Sequence, residues 1–430
     1  MGVRPVADAA IRSAADAGAP AAEAGADGGT ARVLRRKPKT QAELSTTSAD
    51  IYLGNLDARI KELERLVKRS PTNTSNLKML SGSHHTRGRY RGDLDELQVG
   101  IDEASEIVKL EPESPDGYMM RAEQEQSLHR FKEARADMEH ARRLGAPKDR
   151  TGDVLAELDW NDGRYEAAIA ALRKTWRERP STATWMREAQ LLQDLGGTQD
   201  EIDAAFETAE DMISDTGPLG VAHLDLQRGI QRVQVGRLDE ACTFFREAIA
   251  RMPTYVAGKE HLAETRYLMG KDEEATKLYE EVLKLSDDPE FAQALGELYE
   301  LRGKKEEAAA LKKKAHDGYE LLVLKYPEAM YWHASEFYLK MHEPKKALDL
   351  LRKNVELRPN SGSYVALAEA ELQNGLPLDA KKSIDRALAM PLVNAKLYWV
   401  AADVYAKSDA GRAKALRTKA LALNPRIGAE

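Results

Sequence analysis

The sequence has a single cysteine, few aromatic residues and no long apolar run. One cysteine, Cys242, excludes an intrachain disulfide and a metal cage built from cysteines. Because no stretch of about 18 apolar residues occurs, we expect no membrane-spanning helix. The net charge of −7 at pH 7 leaves no basic excess to neutralise phosphates, so the composition argues against a nucleic-acid partner.

Motifs that carry catalysis or bind cofactors are also missing from the sequence. There is no phosphate loop, nucleophile elbow, zinc-protease motif or dinucleotide fingerprint. The HHTR stretch at 84–87 has two adjacent histidines, but zinc needs three or four convergent ligands, and no nearby residue completes the set. We therefore expect a protein that is not an enzyme and has no cofactor and no metal site.

Helix-forming residues dominate what the sequence does contain. Charged residues make up 31% of the chain, and Ala, Leu, Glu, Lys and Arg lose little side-chain freedom in a helix. The stretch RLDEACTFFREAIARMP at 237–253 has the same length and pattern as RYEAAIAALRKTWRERP at 164–180 and EPKKALDLLRKNVELRP at 343–359. An alanine recurs in this pattern at intervals of 33–39 residues: Ala134, Ala168, Ala205, Ala241, Ala275, Ala308, Ala347, Ala380 and Ala413.

Other small residues and turn signals keep step with these alanines. A second small residue stands twelve positions before most of them, for example Gly229, Ala263 and Gly296. Small side chains let two helices approach to the short end of the usual range of about 8–10 Å. Glycines such as Gly270 suit the turn between two helices, and prolines such as Pro253 suit the end of the second helix. The sequence therefore predicts one helical hairpin, repeated along the chain.

These residues resemble the tetratricopeptide repeat (TPR) family. LGELY at 295–299 matches the centre of the first half of the family signature, and ACTFF at 241–245 with Pro253 matches the second half. The resemblance implies an all-α fold, a right-handed α-solenoid of about nine to ten helix-turn-helix repeats. Terminal repeats of such arrays need a polar outer face.

Three regions follow from this interpretation. Residues 1–47 are rich in Ala, Gly, Asp and Pro and have almost no large apolar side chain, so we expect a disordered tail or tether. Residues 48–112 are expected to form an N-terminal helix and a degenerate first repeat. Residues 113–427 are expected to form the tandem solenoid.

The candidate partner site follows from the resemblance. In the family, the residue after the small position of each first helix lines the inner, concave surface. Carboxylates recur there, basic residues are scarce in the same register, and aromatic residues lie beside them. The candidate partner-binding residues are Glu123, Glu157, Trp160, Gln190, Glu264, Tyr267, Glu297, Trp332, Glu336 and Glu369. An acidic groove suits a protein or peptide partner with a basic segment, whereas the alternative is an ordinary solvated helix face.

Three roles remain open at this point. The chain is expected to be a non-catalytic scaffold for protein–protein interaction, and one alternative is an accessory subunit of an enzyme or secretion complex. In the other alternative the tail is a membrane-anchor spacer, and the protein is a structural or assembly component of the bacterial cell envelope. As written, the sequence favours a cytoplasmic protein, and a removed upstream signal would make it a periplasmic lipoprotein. The sequence does not indicate an oligomeric state.

Overall fold

A computed structural model describes residues 35–214 and 216–428 of the chain. Residues 1–34 of the predicted tail therefore lie outside the described residues. Within the described part the chain forms 21 α-helices and one 3-10 turn at Gln126–Leu128, and no strand. The α-helices are α1 Ala49–Arg69, α2 Thr74–Arg91, α3 Leu94–Leu110, α4 Pro115–Glu125, α5 Phe131–Arg143, α6 Lys148–Asn161, α7 Tyr165–Glu178, α8 Thr182–Asp194, α9 Gln199–Asp211, α10 Pro218–Gln234, α11 Leu238–Arg251, α12 Val256–Leu268, α13 Asp272–Val282, α14 Pro289–Leu301, α15 Lys305–Lys325, α16 Pro327–Lys340, α17 Pro344–Leu357, α18 Ser361–Gln373, α19 Pro377–Leu388, α20 Ala395–Tyr405 and α21 Ala410–Leu423.

Helices α2 to α21 pair into ten hairpins, which we number repeats 1 to 10 from α2–α3 to α20–α21. Each hairpin packs mainly on itself and on the hairpins before and after it. The predicted all-α solenoid of repeated helical hairpins is confirmed. No helix of the described residues is both long enough and apolar enough to cross a bilayer.

Local residues determine where these helices begin and end. The Thr198 side chain accepts a hydrogen bond from the Glu201 N–H, and Glu201 accepts one from the Thr198 N–H, which starts α9 with a capping box. Pro289 stands in the first turn of α14, where its missing N–H costs nothing. Gly236 follows the end of α10 with a φ of 76°. This left-handed conformation is strained for any residue that has a Cβ atom.

The recurring alanines lie where the helices cross. Eight of the nine are buried with at most 3% of their surface exposed, and Ala413 is half-buried on the last described helix, α21. The small residues of the first helices make equally close contacts. A Cβ added to Gly229 would lie 2.3 Å from the Phe245 ring of the same hairpin. The spacing of small residues therefore reflects close helix packing.

The solenoid coils tightly enough for repeats six positions apart to touch. In repeat 3 the Tyr165 hydroxyl accepts a hydrogen bond from the Ser361 N–H, which begins repeat 9, at 2.8 Å. In repeat 4 the Asp194 carbonyl accepts one from the Val393 N–H, just before repeat 10, also at 2.8 Å. In each case the turn within an early hairpin meets the loop that leads into a later one.

Contacts between repeats about six positions apart also occur in repeats 1 and 2. In repeat 2, His129 Nδ1 lies 3.3 Å from the carbonyl oxygen of Glu328 at the start of repeat 8. In repeat 1, the Asp95 carboxylate accepts hydrogen bonds from Lys325 Nζ and the Tyr326 hydroxyl, both at 2.6 Å. One superhelical turn therefore comprises about six repeats, and the second turn packs on the first.

The segment before the repeats corrects the predicted boundary of the tail. Residues 35–47 lie against repeats 4 and 5, with hydrogen bonds from buried arginines to their carbonyl oxygens, so this part of the predicted disordered tail is ordered. Helix α1 follows and packs on α2 and α10, the first helices of repeats 1 and 5. Composition did not reveal this segment because polar interactions hold it in place.

Candidate functional site

The structure places the predicted inner residues on the first helices of successive repeats. Glu123 is exposed, and Glu157, Gln190, Glu297, Glu336 and Glu369 are half-buried. Glu264 is buried, with 7% of its surface exposed. The row of predicted polar residues therefore extends over repeats 2 to 9, but its members differ in their access to solvent.

Cations of the following repeat pair with three of these carboxylates. Both Glu297 oxygens lie 3.0 Å from Lys340 Nζ. The two Glu369 oxygens lie 2.9 and 2.7 Å from Lys396 Nζ. Glu157 pairs in the same way with Arg187, and Gln190 accepts a hydrogen bond from that guanidinium at 3.3 Å. Cations therefore stand beside the predicted row at these three boundaries between repeats.

The predicted aromatic residues take different positions. Trp160 is buried and packs edge-on against Tyr165 with 4.1 Å between ring centroids, so it belongs to the core and not to an open groove. Trp332 and Tyr267 are half-buried. The Trp332 indole N–H is buried and has no hydrogen-bond partner among the described residues. Burial raises the pKa of Tyr267, and the nearby Glu297 raises it further.

Two further carboxylates of the row, Glu123 and Glu264, lie in different surroundings. Neighbouring protein atoms raise the pKa of Glu123 although its side chain still reaches solvent. Glu264 belongs to a buried group with Glu260 and His261, in which one donor atom of each residue lies within 4.8 Å of the others. This group supplies three donors that zinc accepts, one fewer than a closed structural zinc site has. Sequence reasoning selected Glu264 but missed its two neighbours in the stretch KEHLAE.

A cleft of about 700 Å³ lies where repeats 1 and 2 meet repeats 6 to 8. Burial raises the pKa of Asp288 to about 6, and Glu290 adds to the shift. Burial opposes the charged form of His333, but Glu290, at 3.5 Å, raises the pKa of His333 above its ordinary value. His129 stands on the opposite wall, and burial lowers its pKa well below the usual range. No sequence signal indicated this cleft, because its walls come from repeats about six apart.

Comparison with known proteins identifies the repeat type. A family model described as tetratricopeptide repeat matches residues 260–293, which span the end of α12, α13 and the start of α14. No curated protein has a sequence that matches the chain. The 34-residue match coincides with one of the ten hairpins described above.

Solved structures of similar architecture include three assemblies of helical repeats. Yeast Tom70 is 14% identical, with 86% of this chain and 90% of that chain covered and a TM-score of 0.41. The human IFIT1 dimer with PPP-AAAA is 14% identical, with 81% and 91% covered and a TM-score of 0.43. The APC/C heterotetramer Cut9–Hcn1 is 13% identical, with 87% and 92% covered and a TM-score of 0.34. Similarities at this level say nothing about a shared ligand. The chain therefore contains a stretch that matches the tetratricopeptide repeat at residues 260–293, within an array of ten helical hairpins.

Proposed function

We propose that this protein is a non-catalytic scaffold that binds a basic segment of a protein partner on its inner surface. The observation that supports this proposal is the row of carboxylates on the first helices of repeats 2, 3 and 6 to 9, in which Glu123 is exposed and Glu297, Glu336 and Glu369 are half-buried. Repeat arrays of this kind use such a continuous surface for protein binding.

The chemistry of this surface favours Lys or Arg on the partner. Carboxylates surrounded by protein attract a cation more strongly than carboxylates in bulk water do. Complementary charge mainly accelerates encounter and selects the partner, whereas apolar contacts slow its release. The half-buried Trp332 and Tyr267 supply apolar area.

Charge-neutral variants of the full chain test the proposal. Binding of a panel of Lys- and Arg-containing peptides is measured by fluorescence anisotropy at low and high ionic strength. We expect the triple variant Glu123→Gln, Glu264→Gln, Glu336→Gln to bind at least about tenfold more weakly than the wild type, since a carboxylate contributes about 0.5–1 kcal/mol to its contact with a cation. The effect should diminish at high salt.

A matched control places the same charge change on second helices. Glu166, Glu273 and Asp349 are exposed on α7, α13 and α17, and their replacement by Gln, Gln and Asn should leave binding unchanged. Loss of binding in the control variant, with the inner triple variant unaffected, would assign the contact to the outer helices, as the accessory-subunit alternative requires. Equal binding by the wild type and both variants would show that these carboxylates do not contribute to peptide binding.

A further inference from the structure

Buried charges distinguish the boundary between repeats 4 and 5 from the apolar boundary between repeats 5 and 6. Charged side chains are buried there, namely Asp203, Glu210, Arg228 and Arg232, together with Arg251 at the end of α11. We call this boundary the charged seam. None of its residues belongs to the predicted inner row.

Residues 35–47, which we call the strap, lie along the charged seam. Arg228 donates a hydrogen bond to the Arg35 carbonyl at 2.8 Å, and Arg251 donates one to the Leu44 carbonyl at 2.8 Å and another to the Lys39 carbonyl. Both arginines are buried, with 0% and 5% of their surface exposed. Arg251 also donates to the Gln41 side-chain oxygen at 2.8 Å, so these two arginines hold the strap mainly, but not only, through its backbone.

Side-chain contacts add a preference for basic residues three positions apart. Arg36 donates to Asp200 at 2.9 Å, and Lys39 donates to Asp211 at 2.9 Å, so the two ends of α9 each hold one cation. Lys37 lies between them, is exposed, and has no ion-pair partner among the described residues. The site therefore binds cations at positions i and i+3 of the segment and leaves the cation at position i+1 in solvent.

The shortest ion pairs of the strap reach exposed carboxylates. Asp200 and Asp211 keep 67% and 54% of their side chains exposed, and exposed ion pairs contribute little net stability, so another segment can replace these contacts. Arg36 and Lys39 also approach the buried Asp203 and Glu210, at 4.0 and 3.5 Å. Glu43 shapes the strap internally, since it accepts hydrogen bonds from the Thr40 N–H at 2.9 Å and from Arg35 at 3.0 Å. At the far end, the Thr47 N–H donates to the Thr216 carbonyl at 2.8 Å.

We propose that the charged seam is a binding site for an extended segment with two basic residues three positions apart. The chain's own strap occupies this site in cis. A partner protein with a segment of the same pattern binds there in competition with the strap. This surface is separate from the inner row of carboxylates, so the outcome of its test is independent of the proposed function.

The test uses the full chain and a labelled synthetic peptide of residues 35–48. The variant Arg36→Glu, Lys39→Glu weakens the strap while the seam stays intact. We expect this variant to bind the wild-type peptide at least about tenfold more tightly than the wild-type chain does, since cis occupancy no longer competes. A second peptide keeps only the Arg and Lys of positions 36 and 39 in a Gly/Ser/Ala background, and it should bind as well, although more weakly.

Two controls define the specificity. The variant Lys37→Glu makes one comparable charge change at a position without an ion pair, and it should bind the peptide as weakly as the wild type does. A peptide with the two basic residues moved to adjacent positions should bind at least about tenfold more weakly to the opened variant. Absence of saturable peptide binding to the folded opened variant, or equal binding of the rearranged peptide, would overturn the proposal.

Hydrogen exchange on the wild-type chain keeps the proposal testable if the opened variant does not fold. Excess wild-type peptide should increase the exchange rate of the Thr47 amide and its neighbours in the strap, whereas the rearranged peptide should not. Unchanged protection of the strap at saturating peptide would show that residues 35–47 are a permanent part of the fold and would refute exchange at the charged seam.

Discussion

Repeat 5 meets its two neighbours through contrasting surfaces. Toward repeat 6, its side chains Phe245, Ala248 and Met252 lie in one buried apolar cluster with Tyr255 and Leu262. Packing of this kind excludes water and needs no further partner. This boundary is the ordinary TPR boundary, and the sequence pattern of small and large apolar residues predicts it.

Toward repeat 4, the charged seam buries carboxylates and guanidinium groups instead. Asp203 and Arg232 form an ion pair in which neither side chain is exposed. Burial raises the pKa of Asp225 well above its ordinary value, with Arg228 and Arg251 opposing the shift. Buried charges must be satisfied, and at this seam part of that role falls to the strap. The comparison of these two boundaries shows that the repeat period determines where the helices lie. The buried charges determine where a segment from outside the repeats binds.

Breaking the buried ion pair should have the largest effect. Arg232→Leu leaves Asp203 buried without its principal cation, so we expect a loss of about 3–5 kcal/mol in the free energy of unfolding. Denaturant unfolding monitored by circular dichroism measures it. Arg237→Leu, at a partly exposed arginine that lies 3.7 Å from Glu240, should cost less than about 1 kcal/mol. Equal losses in the two variants would contradict a special role for the buried pair.

Overpacking within repeat 5 tests its apolar core. Gly229→Ala brings a Cβ to within 2.3 Å of the Phe245 ring, so we expect a loss of about 1–3 kcal/mol in unfolding free energy. Gly220→Ala is the matched control in the same helix, because nothing lies within 4 Å of its added Cβ. That variant should be more stable by up to about 1 kcal/mol, since alanine favours the helix. A stabilising effect at both positions would disprove the close packing.

The pH dependence of stability distinguishes the charged seam from the apolar boundary between repeats 5 and 6. The folded-state pKa of Asp225 lies above its unfolded value, so the native state holds a proton that the unfolded chain has released. Stability is therefore lost as pH rises above about 4. Asp225→Asn should remove part of this loss, about 1–2 kcal/mol in thermal or chemical unfolding at neutral pH. Asp349→Asn, at an exposed carboxylate, should reproduce the wild-type pH profile.

The smallest expected effect concerns the ion pairs between first helices. Lys340→Ala removes the partner of Glu297, and both side chains are about a quarter exposed, so the loss should not exceed about 1 kcal/mol. Differential scanning fluorimetry at low and high salt measures it, with a smaller difference at high salt. A loss as large as that of Arg232→Leu would remove the distinction between exposed and buried pairs.

Much of the fold was predictable, because the residues that specify each hairpin lie close together in the sequence. The alanine ladder that includes Ala241 and Ala380, the turn at Gly236 and the caps around Thr198 depend on residues within one hairpin or its neighbour. The same reasoning placed Glu297 and Glu369 on first helices. It did not pair Glu369 with Lys396, because an ion pair between repeats depends on the offset between hairpins.

The sequence by itself determined the hairpin, its number of copies and the residues at each crossing. Only the tertiary structure decided which distant parts of the chain meet: Arg36 with Asp200, Tyr165 with Ser361, and His129 with His333 across the cleft. These contacts join residues more than 160 positions apart. They depend on small rotations between successive repeats that accumulate over a superhelical turn, and no single repeat encodes that sum.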